Sequence, residues 1–202
     1  MNNTISYYES NAKSLVKRYE SADVSEIHKL LLEVFLKKSY LLEIGCGSGR
    51  DANFMIKNDY KIIGIDASKK MIAEAKNIHP LLINSLQVNN IPEELNFENK
   101  SFDGIYSIAT LMHLEINSIV KVINKIFNYL KVEGLFLFSV SIKRDDINSD
   151  FKDNNGRHFT TMNQDYWINT CHDIGFKTIR IITTSDGLNR EGIVWLTCVM
   201  EK

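Results

Sequence analysis

Between Leu41 and Ala52 the chain reads LLEIGCGSGRDA. Aliphatic residues around one carboxylate run directly into glycines at positions 45, 47 and 49, and Arg50 and Asp51 follow. Glycine at that density weakens helix and strand alike, so the stretch must join elements rather than continue one. Tyr40 to Ile44 before it reads as a short apolar strand, and Asp51 to Lys57 after it as a helix. A glycine turn between them lets the backbone approach a ligand with no Cβ in the way. In open parallel sheets such turns lie beyond the carboxyl ends of the strands, where ligands bind.

The rest of the chain repeats the unit. Lys61 to Asp66 (KIIGID) is a second strand, and Ser68 caps a helix whose apolar face carries Met71, Ile72 and Ala75. A third strand falls within Leu81 to Val88, a fourth over Ser101 to Ile108 (SFDGIYSI) and a fifth over Gly134 to Ser141 (GLFLFSVS). The amphipathic helix Ile116 to Leu130 separates the last two. Strand and helix alternate for about a hundred residues, the pattern of a parallel sheet covered on both faces. The near-continuous aliphatic runs IIGI and LFLF fit burial on both sides. Two helices precede this region, one carrying Tyr8, Ala12, Leu15, Val16 and Tyr19 at helical spacing and one over Ser25 to Leu36. After Ser141 the texture changes. A charged, Asn-rich loop from Lys143 to Asn155 leads to a helix over Gln164 to Ile174. The strands Phe176 to Thr183 and Ile193 to Val199 follow, joined through the polar SDGLNREG. The expected fold is a Rossmann-like α/β domain: a seven-stranded, mostly parallel sheet with helices on both faces and a C-terminal antiparallel hairpin.

Composition bounds the chemistry. With 202 residues and 44% hydrophobic content, one domain buries roughly 70% of its unfolded surface, and no Gly/Ser- or Pro-rich linker divides it. A net charge of −1 gives no general attraction to nucleic acid or anionic lipid. Three cysteines without a CxxC pair fit reduced thiols in a reducing compartment. The polar N-terminus MNNTISYYES lacks the apolar core of a signal peptide, and no apolar run approaches the ~20 residues that cross a bilayer. The expectation is a cytoplasmic chain with no membrane partner, and nothing in the sequence bars a homodimer. Five histidines and three cysteines show no pair at metal-ligand spacing, so no metal is expected.

Spacing removes the phosphate-binding turns. A P-loop needs four residues between its glycines and then Lys-Ser/Thr, and the dinucleotide motif GxGxxG needs glycine where Arg50 stands. What remains is ExGxGxG, with Glu43 at the end of the first strand. Asp66 ends the second strand roughly 20 residues beyond the glycines, the separation that places an acid on ribose hydroxyls. Together with FENKSFDGIYSIATLMHL (97–114), these features resemble the class I S-adenosylmethionine-dependent methyltransferases over about Tyr40 to Ser141.

That resemblance implies a cofactor site. Gly45, Gly47 and Gly49 would let the backbone come close to the cofactor, with Glu43 anchoring the turn or meeting the ligand's ammonium through water. Asp66 would accept from both ribose hydroxyls, against the plainer reading of a helix-leading turn residue, and the adjoining Ala67 would also bind the cofactor. Gln87 would accept from the adenine amino group and the Val88 N–H would donate to the ring, with Asn89 in that place if the register shifts. Ser107, in the fourth strand, would lie beside the methionine arm, as would Ile108 and Ala109. Arg50 has the planar fork that suits the cofactor carboxylate, against the plainer reading of a surface helix arginine. Tyr8 and Tyr19 belong to an N-terminal segment that, in similar small methyltransferases, folds over the cofactor. The implied organisation is a helical lid over 1–38, a cofactor core over 39–141 and a substrate-side region over 142–202.

Methyl transfer from a sulfonium is an in-line displacement. It needs alignment and desolvation, and a general base only where the acceptor keeps its proton. His113 is the candidate base, with a purely structural histidine as the alternative. Arg157 and His158 lie where substrate groups can enter, Arg157 either holding an acidic acceptor or pinning its loop. Trp167 and Trp195 read as core or hairpin anchors. The D/N-P-P-Y/F tetrad of amino-directed DNA methyltransferases is missing, and neither Pro80 nor Pro92 precedes a cysteine. The expected activity is methylation of a small-molecule acceptor, with S-adenosyl-L-homocysteine as the product left behind. A protein or tRNA acceptor, or a non-catalytic cofactor-binding subunit, is the competing reading.

Overall fold

The computed structural model describes residues 3–186 and 190–202. Strand order follows from which segments are apolar on both faces. In β1 (Tyr40–Ile44) four of the five residues are buried, with Leu42 and Ile44 on one side of the sheet and Leu41 on the other. Such a strand must be central. It pairs in parallel with β2 (Lys61–Asp66) on one edge and β4 (Phe102–Ile108) on the other. β3 (Leu86–Val88) adds in parallel outside β2, and β5 (Leu130–Arg144) outside β4. β6 (Lys177–Ser185) and β7 (Ile193–Glu201) form an antiparallel pair whose β7 edge lies along β5. The sheet order is β3-β2-β1-β4-β5-β7-β6. Chain order reverses between β1 and β4, and the carboxyl ends there open the crevice that ligands use in this topology.

Helices cover both faces. On one side lie α5 (Ile116–Tyr129) and α6 (Gln164–Ile174); α5 turns Ile119, Val122, Ile123 and Ile126 onto Phe136, Phe138 and Leu196. On the other side α2 (Ser25–Val34), α3 (Arg50–Lys57) and α4 (Lys69–Ile78) bury Leu31, Met55 and Ile72 against Leu41, Tyr106 and Leu137. Each such fully buried side chain contributes about 2 kcal/mol. Ser68 caps α4 as expected, accepting from the Met71 N–H at 3.1 Å. α1 (Asn3–Glu20) packs Ala12, Leu15 and Val16 on Met71 of α4, across the crevice mouth.

Two boundaries differ from the sequence reading. The third strand is shorter, because Pro80–Leu82 forms a 3-10 turn first. The fifth runs from Leu130 to Arg144, since β4 and β7 give it partners along nearly its whole length. Arg144, expected in a surface loop, is therefore the last strand residue and is 8% exposed. Of the linker SDGLNREG, Gly187 to Asn189 lie outside the described residues, as do Met1 and Asn2. Cys46, Cys171 and Cys198 are free, buried thiols. Among the described residues no helix is long and apolar enough to cross a membrane.

Candidate active site

The turn after β1 is held from behind. The amides of Gly45 and Cys46 both donate to the Ile65 carbonyl, at 2.8 and 2.9 Å, and the Gly49 N–H closes the turn on Cys46 O at 2.8 Å. All three glycines have positive φ, of 78°, 52° and 76°, which removes most residues from these positions. Their surroundings differ. The Thr110 side chain stands where a Cβ on Gly45 would lie, and Leu82 Cδ1 would be 2.9 Å from one on Gly49. Gly47 alone faces space: its nearest neighbours would be Met71 and Tyr19, at 3.8 and 3.9 Å. Gly45 and Gly49 have no room for a Cβ, and Gly47 alone has that side open. Burial pushes the Cys46 thiol well above the usual range, so the residue is a small filler of the turn and no nucleophile.

The crevice is a cavity of about 310 Å³, in the range of small-ligand sites. Gly45, Gly47, Glu43, Asp66, Ala67 and Arg50 line it on the β1–β2 side. Asp66 Oδ2 accepts from the Gly47 N–H at 3.0 Å and Oδ1 from the Ser68 N–H at 2.8 Å. Burial raises its pKa, the two N–H bonds opposing. Each oxygen keeps a further lone pair for a ligand donor. Glu43 is 3% exposed and accepts from the Tyr106 hydroxyl at 3.1 Å; burial, with Asp51 nearby, raises its pKa well above the carboxylate range.

Not every expected residue reaches the wall. Gln87 and Val88 are exposed on β3 and turn away from the cavity, whereas Asn89, one residue on, lines it. Asn89 Nδ2 donates to Glu94 O at 2.8 Å, which fixes the amide's orientation, and its Oδ1 is buried with no hydrogen-bond partner. An orphaned buried acceptor costs about 1–3 kcal/mol; Oδ1 is shielded from solvent, so Asn89 lines the cavity with its other atoms. Ser107 also stands apart from the wall: the strand pleat turns it inward, where its Oγ donates to Ile44 O at 3.0 Å. Gly49 is behind the turn, for the packing reason given above. Arg50 lines the cavity with its fork already occupied, donating to both Asp51 oxygens at 2.9 and 3.0 Å and to Tyr19 O at 2.9 Å. Asp51 also meets His28 Nε2 at 2.9 Å, so Arg50 ties α1 to α3 as much as it faces a ligand.

The other side of the cavity is built by α1, the turn after β4 and the segment after β5. His113 closes a 3-10 turn, Leu111–His113, and its Nδ1 is 2.7 Å from the His158 carbonyl, so Nδ1 must carry the proton. Its Nε2 then accepts from the Tyr8 hydroxyl at 3.2 Å. Burial holds the imidazole pKa at about 4, and desolvation pushes the Tyr8 phenol far up. Both groups are neutral at ordinary pH. Tyr19 lies beside Gly47. His158 does not line the cavity; its backbone N–H donates to Thr4 Oγ1 at 2.9 Å and draws α1 onto this side. Arg157 both pins its loop, through Asp153 at 2.9 and 2.6 Å, and lines the cavity. Trp167 is core, as expected, but Trp195 reaches the wall. Sequence reasoning also passed over Arg144, Phe159 and Arg190. No motif marks them: the β5–β7 pairing brings Arg144 and Arg190 here, and the loop after β5, folded onto Met112, brings Phe159.

Comparison with known proteins agrees with this geometry. A family model described as a methyltransferase domain matches residues 16–181. The chain is 28% identical over 121 residues to a carboxy-S-adenosyl-L-methionine synthase of Campylobacter concisus, covering 58% of this chain and 51% of that one. It is 31% identical over 131 residues to a malonyl-[acyl-carrier protein] O-methyltransferase of Bacillus cereus, covering 60% and 46%. The chain thus spans about half the length of these curated relatives. Among solved structures, a 1,6-didemethyltoxoflavin-N1-methyltransferase of Burkholderia thailandensis, with bound 1,6-didemethyltoxoflavin and S-adenosylhomocysteine, superposes with a TM-score of 0.80 at 15% identity. That match covers 99% of this chain and 87% of the other. A protein of Pyrococcus horikoshii gives a TM-score of 0.72 at 17% identity, covering 88% of each chain. With most of its length matched by the domain model, on the expected sheet and with an acid-ended β2 beside the glycine turn, the chain belongs to the class I S-adenosylmethionine-dependent methyltransferases.

Proposed function

We infer that this chain methylates a small-molecule acceptor bound in the cavity, using S-adenosylmethionine and leaving S-adenosylhomocysteine. The observation that carries this is the Asp66 carboxylate at the end of β2, lining the cavity beside Gly47. Each of its oxygens takes one backbone N–H and keeps a lone pair. A ribose diol supplies two donors to that carboxylate, so the residues fit the cofactor. Gly47 offers a backbone surface without a Cβ, and Glu43 offers a carboxylate for a cationic amino acid end.

When bound, the cofactor supplies an electrophilic methyl group on a sulfonium. The protein's part is to orient and to exclude water. α1 closes over the cavity through Tyr8, Tyr19 and the Thr4–His158 bond, which supports reading 1–38 as a lid on one domain that spans 1–202. His113 is a weak base, and its neutral Nε2 fixes the Tyr8 hydroxyl so that the phenol oxygen keeps lone pairs for the acceptor. It takes a proton only from an acceptor group of matching acidity. Work in the cytoplasm on a non-nucleic-acid acceptor is the reading that composition supports.

Titration calorimetry with S-adenosylhomocysteine tests the core of this. Native protein is expected to bind, and Asp66→Ala to bind at least about tenfold more weakly. Native protein that ignores the ligand at millimolar concentration sinks the reading.

A further inference from the structure

Three guanidinium groups share the wall around Phe159. Arg144 stands 4.0 Å over the Phe159 ring, and Arg157 lies 5.1 Å from the same ring and 4.9 Å from Tyr7. Arg190 completes the group from the segment before β7. Each is braced by one aspartate on its Nε–Nη2 edge: Arg144 by Asp146 at 2.9 and 2.6 Å, Arg157 by Asp153 at 2.9 and 2.6 Å, Arg190 by Asp186 at 2.9 and 2.7 Å. None of these aspartates lines the cavity, whereas all three arginines do. In the Arg144 pair the guanidinium faces in and the carboxylate out, at 2% and 43% exposed; in the Arg157 and Arg190 pairs the aspartate is the more buried partner.

A guanidinium has five N–H donors, and an aspartate on the Nε edge leaves the Nη1 edge over, though Arg157 also donates toward the Tyr8 hydroxyl. The acids that line the cavity, Glu43, Asp51 and Asp66, come from β1, α3 and β2 and do not bond to these three forks. These donors, with Tyr8 and His113 beside the apolar surfaces of Ile5, Met112, Phe159 and Trp195, favour a ligand that brings oxygen acceptors and an apolar body. The bracing aspartates already offset one charge each, which suits a singly charged planar group better than a dianion.

We propose that the methyl acceptor is a small carboxylic acid with an apolar body, its carboxylate received by Arg144, Arg157 and Arg190 and its body set against Phe159 and Trp195. So held, the carboxylate is a handle for recognition, close to Tyr8 and His113. This rests on the methyltransferase reading above, and the test separates the two.

Benzoate and phenylacetate are titrated, each beside its neutral amide, with inorganic phosphate as the competing oxyanion. Free protein and protein loaded with S-adenosylhomocysteine are both used, so the arginine site is read even if no methyl-donor product binds. Each acid is expected to bind at least about tenfold more tightly than its amide. Arg157→Gln and Arg190→Gln are each expected to remove that preference while S-adenosylhomocysteine affinity changes less than about twofold. Arg190, whose side chain is 43% exposed, keeps the test sharp if Arg157→Gln fails to fold. Amides that bind as well as acids, phosphate tighter than both acids, or an undiminished preference in both variants overturns the proposal.

Discussion

The Tyr8 hydroxyl and His113 Nε2 meet at 3.2 Å across 105 residues of sequence. The contact joins the first helix to the turn that ends β4, and the His158 carbonyl fixes its direction by claiming the Nδ1 proton. It is a polar bond between two half-buried neutral groups, and it ties α1 to the cavity wall.

Its pH dependence follows. An unfolded histidine takes up a proton near 6.5, whereas burial keeps His113 neutral down to about 4. Between those values the unfolded chain binds more protons, so stability is fully present above 6.5 and is lost as pH falls towards 4. The loss from this group reaches about 3 kcal/mol. Urea denaturation at pH 7.5 and 5 is expected to show about 2 kcal/mol of that loss in the native protein and a smaller one in His113→Gln. Equal slopes in both proteins would place the titration elsewhere.

Glu43 has the opposite sign. Its folded pKa is raised by burial and by Asp51, so its stabilising share is present below the unfolded value and is lost as pH rises through the folded one. Glu43→Gln keeps an acceptor for Tyr106 and removes the charge. The variant is expected to be more stable than native protein at pH 8.5, with the gain shrinking at pH 5. A variant that is less stable at both pH values would show that the ionised carboxylate is wanted there, held by Arg50.

Much of this was legible in the chain. Period-two and period-3.6 apolar patterns placed β1, β2 and α6, because those segments are buried in the way their own sequence dictates. That Asp66 stands beside the glycine turn was legible, because its distance from the glycines is set by one helix and one strand. Which side chain of β3 ends at the crevice was not: three residues give no alternation to fix it, and Asn89 rather than Gln87 lines the wall. The arginines were not legible as a group. Arg144 and Arg190 approach because β5 runs past its apolar stretch and β7 returns beside it, and Arg157 joins them because the loop after β5 folds back onto Met112 and Thr4; none of this is local in sequence.

The three glycines of the turn look alike in sequence and are expected to behave differently on substitution. Gly45→Ala drives a methyl into the Thr110 side chain, and Gly49→Ala drives one to 2.9 Å from Leu82, both on backbone of positive φ. Each is expected to cost at least about 2 kcal/mol by the sum of overpacking and left-handed strain. Gly47→Ala meets nothing closer than 3.8 Å, so the left-handed conformation alone acts, at about 1 kcal/mol. That variant is expected to fold, and to lose S-adenosylhomocysteine affinity out of proportion to its stability, because the added methyl stands where a ligand approaches the backbone. Urea midpoints and calorimetry on the three alanine variants decide it. Should Gly47→Ala bind like native protein, the turn serves folding alone and the cofactor passes elsewhere along the cavity.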